Sequence, residues 1–178
     1  MSVELRAILA GFGGQCTLFA GKVIAYAGLI ENAEVSWFPS YGPEMRGGTA
    51  NCSVTLSSEP IGSPLIQSPN ALLAMNQPSY DRFITDVSQG AAVVYDSSLI
   101  EPEVVPEECT VVGIPAAKIA QENGLDGLAN IVLLGKLWSL VGFCSRDVLD
   151  QAIEKCVPPR KAALIEKNKI AVQLGIDA

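Results

Sequence analysis

A chain of 178 residues is long enough for one domain with its own core and too short for two of ordinary size. Apolar residues make up 49% and charged residues only 17%, below the roughly 25% of an average domain, so a disordered chain is excluded and a partly covered surface is expected. Nineteen acidic against twelve basic residues give a net charge of -7, which argues against a nucleic-acid partner, and the absence of histidine removes Ser-His-Asp and Cys-His nucleophiles, imidazole ligands and imidazole bases.

In chain order, Leu5 to Ala10 reads as a buried strand, Gly11-Phe12-Gly13-Gly14 as a tight turn, and Gln15 to Glu31 as a helix with apolar Leu18, Val23, Ile24, Ala27 and Ile30. Ala33 to Trp37 reads as a second strand, which completes a Rossmann-like βαβ unit with parallel strands. After a loop from Phe38 to Gly48, the alternation from Ala50 to Ser57 predicts a strand, and Pro60 to Pro69 a turn region. Ala71 to Met75 predicts another buried strand, Tyr80 to Val87 a helix, Ala91 to Tyr95 and Thr110 to Gly113 two further strands, and Ala116 to Asn123 a helix stopped by Gly124. The fold class is therefore α/β and three-layered, with a mostly parallel central sheet and helices on both faces, forming a single domain over residues 1–178.

Leu128 to Phe143 is apolar on nearly all sides, with Asn130, Lys136 and Ser139 the chief polar exceptions. It is too short for a membrane span, which needs about 20 apolar residues, and must be buried by its own domain or by a partner subunit. Ser145 can cap a helix reaching Lys155, with Asp147 near the positive end of its dipole, and Pro158-Pro159 interrupts before a final helix from Arg160 to Leu174. This stretch, from about residue 145, is expected to be mobile or to depend on a partner. Residues 81–126 hold nine acidic and two basic residues, read as a solvated face.

Cys16, Cys52, Cys109, Cys144 and Cys156 are widely scattered and form no CxxC pair, so no iron-sulfur or structural zinc set is expected, and no metal site. Scattered, odd-numbered cysteines fit reduced thiols in a core. The Met1-Ser2-Val3-Glu4-Leu5-Arg6 start lacks the features of a signal peptide, and a cytoplasmic location is expected.

Two motifs bear on ligands. Gly11, Gly13, Gly14 and Gln15 stand where a dinucleotide-binding turn stands, and glycines there allow positive φ and close approach of a phosphate to helix N–H groups. Cys16 occupies the third glycine position, and Val35-Ser36-Trp37 at the second strand's end offers no carboxylate for a ribose, which argues against a nicotinamide or flavin dinucleotide; close packing of helix on strand alone would explain the glycines. The second motif is Trp37-Phe38-Pro39-Ser40-Tyr41-Gly42-Pro43-Glu44-Met45-Arg46-Gly47-Gly48, at the C-terminal end of a strand, where α/β folds bind ligands. Glu44 and Arg46 are its only charges; Arg46 can grip a carboxylate, a phosphate or a partner's Glu, or simply tie the loop to itself.

The glycine turn after the first strand, together with Ser40-Tyr41-Gly42-Pro43-Glu44-Met45-Arg46-Gly47-Gly48, resembles the gamma subunit of the 2-oxoacid:ferredoxin oxidoreductases, a domain also found within single-chain pyruvate:ferredoxin oxidoreductases. The resemblance covers essentially the whole chain and extends to Asn76-Gln77-Pro78, to Val112-Gly113-Ile114-Pro115-Ala116 and to Asn130 to Gly135. Family members usually carry glycine at the position of Cys16.

The resemblance implies a complex that turns a 2-oxoacid, coenzyme A and oxidised ferredoxin into acyl-CoA, carbon dioxide and reduced ferredoxin, with pyruvate, ketoisovalerate or 2-oxoglutarate as substrate. It implies that thiamine diphosphate, Mg2+ and 4Fe-4S clusters reside on alpha, beta and delta subunits, and that this chain has no catalytic residue and no resident cofactor. Ser40, Tyr41, Gly42, Pro43, Glu44, Arg46, Gly47 and Gly48 then form a loop facing a partner subunit or coenzyme A, and the isolated chain is expected to be inactive and to self-associate as a homo-oligomer. Two alternatives remain open: a stand-alone nucleotide- or coenzyme A-binding protein, and a component of an indolepyruvate-type enzyme.

Overall fold

The computed structural model describes residues 4–40 and 49–178. Six strands form one sheet in the order β2-β3-β1-β4-β5-β6: β1 (Leu5–Phe12), β2 (Glu34–Ser40), β3 (Thr49–Ser57), β4 (Ala71–Ala74), β5 (Ala92–Asp96) and β6 (Thr110–Ile114). The neighbours β1, β4, β5 and β6 pair in parallel. Their sequences are continuous apolar runs because both faces are covered; Leu5, Ala7 and Leu9 of β1 enter one core cluster, Ile8 and Ala10 the other.

The first βαβ unit keeps its parallel strands but has a third strand inserted between them. β1 and β2 run in the same direction but do not touch, because β3 lies between them, antiparallel to both, from Phe12 opposite Thr49 to Leu5 opposite Leu56. The physical reason lies in the alternation of β3. Cys52, Val54 and Leu56 are buried, whereas Ser53 and Thr55 are half-buried, the pattern of a strand covered fully on one face only. Such a strand belongs in an antiparallel part of the sheet, and β3 returns directly from β2 to fill that place.

Helices α1 (Thr17–Ile30), α4 (Ala129–Val141), α5 (Arg146–Cys156) and α6 (Leu164–Asp177) build the larger core against one face, joined by α3 (Ala116–Glu122). On the other face, α2 (Gln77–Phe83) closes a smaller cluster around Tyr80, Ile84 and Ile100. The predicted helix over Tyr80 to Val87 starts earlier and ends in a short 3-10 turn, Ile84–Asp86. Asn76 caps it, its side chain accepting from the Ser79 N–H at 2.9 Å, and Pro78 in the first turn needs no hydrogen bond. Of the acidic residues between 81 and 126 all are exposed except Asp96, which is fully buried at the end of β5. Its two carboxylate oxygens accept from the N–H groups of Ser98 and Ala117, each at 2.9 Å, so it caps α3 from outside.

The apolar helix α4 is buried by its own chain. Ile131 to Leu134 and Leu137 are buried, and α6 covers the side turned from the sheet. The stretch after residue 145 thus packs into the core: Ala171 and Val172 are fully buried, and Ser145 caps α5 through the Val148 N–H. Arg146 ties α5 to α6 by donating to Gln173 Oε1 at 2.8 Å and to the Lys169 carbonyl at 3.3 Å. The final helix starts at Leu164 rather than Arg160, because Pro159–Lys161 first forms a 3-10 turn.

The α4–α6 contact is made by backbone. A Cβ added at Gly135 would fall inside the Val172 carbonyl, and one at Gly175 inside the Val132 carbonyl. Neither neighbour is a flexible side chain, so the helices must separate to accept a methyl group. Gly135→Ala is expected to lower stability by about 3 kcal/mol, read as a fall in urea midpoint with an unchanged slope.

Candidate functional site at the end of the first strand

Strand β1 is where the chain reverses its direction of travel across the sheet: α1 leads to β2 on one side, and β4 to β6 follow on the other. In such sheets ligands bind at the carboxyl ends of the strands at this switch point. Here the turn after β1 (Gly13, Gly14, Gln15) and the turn after β4 (Met75, Asn76) stand side by side at that end.

Gln15 joins the two turns. Its Oε1 accepts from the Phe12 N–H at 2.6 Å and from Asn76 Nδ2 at 3.2 Å, while its Nε2 donates to the Met75 carbonyl at 2.9 Å. The Gln15 N–H also donates to the Phe12 carbonyl at 2.9 Å, closing the turn. Gly11 makes room for this clamp: a Cβ there would lie 2.7 Å from Gln15 Oε1 and 2.9 Å from the Thr17 methyl. Close packing therefore accounts for Gly11, whereas Gly14 has open space beside it, as a ligand approach requires. Asn76, 3% exposed, was not among the predicted site residues; a polar residue followed two positions later by proline, after a buried strand, is the capping signal that points to it.

Cys16 sits at the N-cap of α1 with φ 54, the left-handed region, and its side chain makes no cap hydrogen bond. Its thiol is exposed, as Cys109 is in part, whereas Cys52, Cys144 and Cys156 are buried. Burial pushes the thiols of Cys52 and Cys144 up to about 12 and that of Cys156 up to about 11, so these three stay protonated at neutral pH. Among the described residues no cluster of three or more cysteine or carboxylate side chains could hold a metal ion.

Tyr41, Gly42, Pro43, Glu44, Arg46, Gly47 and Gly48 lie outside the described residues. Their flanks do not: Ser40 pairs with Asn51, and Thr49 with Phe12, so the segment leaves and re-enters the sheet at the end that carries the glycine turn. Phe12 at this end is unusually open at 43% exposure, and Trp37 and Phe38, level with Ala7 and Ile8 on opposite faces of the edge strand β2, are open at 38% and 44%. Ser40 and Thr49, the described flanks of the second motif, thus stand at the end of the sheet that carries Gly11 to Gln15.

Residues 6–178 match the model of a family described as pyruvate ferredoxin/flavodoxin oxidoreductase. The chain is 43% identical over 137 residues to the ketoisovalerate oxidoreductase subunit VorA of Methanothermobacter marburgensis, covering 77% of this chain but 28% of that one. It is 37% identical over 180 residues to the 2-oxoglutarate synthase subunit KorC of Methanocaldococcus jannaschii, covering 99% of this chain and 94% of the other. Among solved structures it resembles the gamma subunit of a keto/oxoacid ferredoxin oxidoreductase from Geobacter sulfurreducens, with TM-score 0.83, 28% identity, and 97% and 96% of the two chains covered. It also resembles the 2-oxoglutarate:ferredoxin oxidoreductase of Magnetococcus marinus solved with 2-oxoglutarate, coenzyme A and succinyl-CoA bound, with TM-score 0.87 and 26% identity, covering 99% of this chain and 31% of that one. The chain thus spans under a third of the length of the VorA relative and 94% of that of the KorC relative.

Two stability measurements test this geometry. Gln15→Leu leaves the Phe12 N–H without its side-chain acceptor and should cost about 2 kcal/mol. Cys16→Gly relieves the left-handed backbone and should gain about 1 kcal/mol, a rise in melting temperature of about 2–4 °C.

Proposed function

Because the chain belongs to the pyruvate ferredoxin/flavodoxin oxidoreductase family, we propose that it is the gamma subunit of a 2-oxoacid:ferredoxin oxidoreductase, working in a complex that forms acyl-CoA and CO2 from a 2-oxoacid and reduces ferredoxin. The reading is carried by full-length similarity to a 2-oxoglutarate synthase subunit, with 94% of that subunit covered. Alpha and beta subunits, and a delta subunit, are its partners.

Thiamine diphosphate, Mg2+ and iron-sulfur clusters are assigned to the partners. The donor set of this chain does not fit them: three thiols are buried and held protonated, the five cysteines are scattered, and the described carboxylates form no metal-binding group. What the chain supplies is a strand-end platform, fixed by the Gln15 clamp, and exposed aromatics, Phe12 at the end of β1 and Trp37 and Phe38 on the two faces of the edge strand β2, suited to burial against other subunits. The Tyr41 to Gly48 loop is the partner-facing segment, with Arg46 as the contact to an anion, coenzyme A among the candidates.

A reconstituted complex tests both levels. The purified chain alone should show no turnover and no visible cluster absorbance; a bound chromophore or activity in the isolated chain would sink the assignment. Arg46→Ala in the complex should raise KM for coenzyme A by about tenfold with assembly intact, the loss of one charge-assisted hydrogen bond. Unchanged KM together with unchanged assembly removes Arg46 from the site.

A further inference from the structure

β2 is an edge of the sheet, and the alternation of hydrogen bonds along the strands fixes which of its backbone groups face outward. The carbonyls of Arg6 and Ala10 accept from the Asn70 N–H at 3.0 Å and the Met75 N–H at 2.9 Å, so the even-numbered residues of β1 bond towards β4 and the odd-numbered ones towards β3. Carried through the unbroken registers, this leaves Ala50, Cys52, Val54 and Leu56 of β3 bonding to β1, and Glu34, Ser36, Phe38 and Ser40 of β2 bonding to β3. Val35, Trp37 and Pro39 therefore turn their backbone groups to the open edge. Pro39 has no N–H, so Val35 and Trp37 alone in β2 offer a donor and an acceptor together, and among the described residues no group bonds to either backbone.

Edge strands of free proteins are usually blunted by lysines, a bulge or a charge in mid-strand. β2 has no lysine, its register against β3 is unbroken, and its single charge, Glu34, stands at its start. Pro39 guards only the far end, while Trp37 and Phe38 stand open in between, one on each face. The strand that fits this edge is the edge itself. Two copies of β2, antiparallel about a two-fold axis at Ser36, set Val35 opposite Trp37 of the other copy twice over, and all four open N–H groups meet a carbonyl. Pro39 then falls opposite Ala33, whose N–H already donates to the Gly28 carbonyl at 2.9 Å, so no donor is lost there. An axis at Trp37 would instead force the Pro39 ring into the ladder opposite Val35. The charges agree with the Ser36 axis: Glu34 meets Phe38 rather than a second Glu34, and the only residue facing itself is a small, uncharged serine.

We propose that β2 pairs with β2 of a second copy of this chain, joining two six-stranded sheets into one across a two-fold axis at Ser36. Trp37, whose indole lies against Gly21 of α1, packs beside Val35 of the other copy on that face, an aromatic and β-branched pair of the kind that stabilises sheets. The contact is short and holds no ion pair, which sets Kd on the order of 10 µM. It rests on the backbone of β2 and not on the role of the chain in an oxidoreductase complex.

Sedimentation velocity on the full chain, from about 1 to about 200 µM, should show a monomer passing into a dimer and nothing larger, because a closed two-fold contact uses up the edge. Ser36→Lys and Ser36→Glu each set like charges against one another at the axis. Each should weaken the dimer at least about tenfold with the melting temperature unchanged, and mixing the two variants should restore it. Hydrogen exchange reads the same contact without a substitution. The amides of Val35 and Trp37 should exchange fast in dilute solution and slowly in concentrated solution, whereas those of Ser36 and Phe38, bonded to β3, should stay protected in both. The proposal is overturned if the chain stays monomeric or grows beyond a dimer, if either variant dimerises as the parent does, if the mixture fails to dimerise, or if Val35 and Trp37 exchange alike at both concentrations. None of these results bears on turnover by the reconstituted complex, which tests the subunit assignment separately.

Discussion

One side chain fixes the end of the sheet on which everything functional depends. Gln15 satisfies a backbone N–H of β1, a carbonyl after β4 and the amide of Asn76 at once, so two parallel strands and the entry to α1 are set by a single amide group. The accounting for Gln15 Oε1 is complete, with two donors on two lone pairs. That geometry admits no side chain at Gly11, and it orients Asn76, whose other amide atom caps α2. The clamp thereby links helices on opposite faces of the sheet through a network of side-chain and backbone hydrogen bonds, which is a stiffer coupling than packing contacts alone.

The inserted strand β3 gives this end its second feature. A parallel neighbour in that position would have entered the sheet at the opposite end after a crossover. An antiparallel one enters at the carboxyl end of β1, which is why Thr49 stands opposite Phe12, beside the glycine turn. The same insertion leaves β2 as an edge strand with Trp37 and Phe38 open. An edge with exposed aromatics is a hazard for a free protein and an asset for a subunit.

Much of this was legible in residue order because burial on two faces writes itself as an unbroken apolar run. Leu5 to Ala10, Ala71 to Met75 and Ala91 to Tyr95 were readable for that reason, and they are the strands with core on both sides. The alternation of Ala50 to Ser57 identified a strand but not its neighbours, since period-two patterning reports which face is covered and is silent on pairing partners. The place of β3 between β1 and β2 is a long-range choice with no local signature. Gln15 was read as part of a phosphate-binding turn, because a glutamine beside glycines carries no periodicity that distinguishes a clamp from a ligand contact. Asn130 stood out as a polar exception in an apolar helix, but its bond to the Cys16 carbonyl spans 114 positions and no pattern in sequence announces it.

The position of Cys16 connects these features. It is the residue through which α1 leaves the clamp, its carbonyl is held by Asn130 of α4, and its backbone adopts a conformation that glycine would adopt without strain. A cysteine there costs stability, yet its carbonyl bond to α4 holds the conformation in place, as strained backbone requires. The first helix is therefore positioned from both ends of a short path: from the sheet by Gln15 and from the helical layer by Asn130. The Asn130 bond thus ties α4 to the residue that follows the clamp, beside the packing of α1 on α4 and α5.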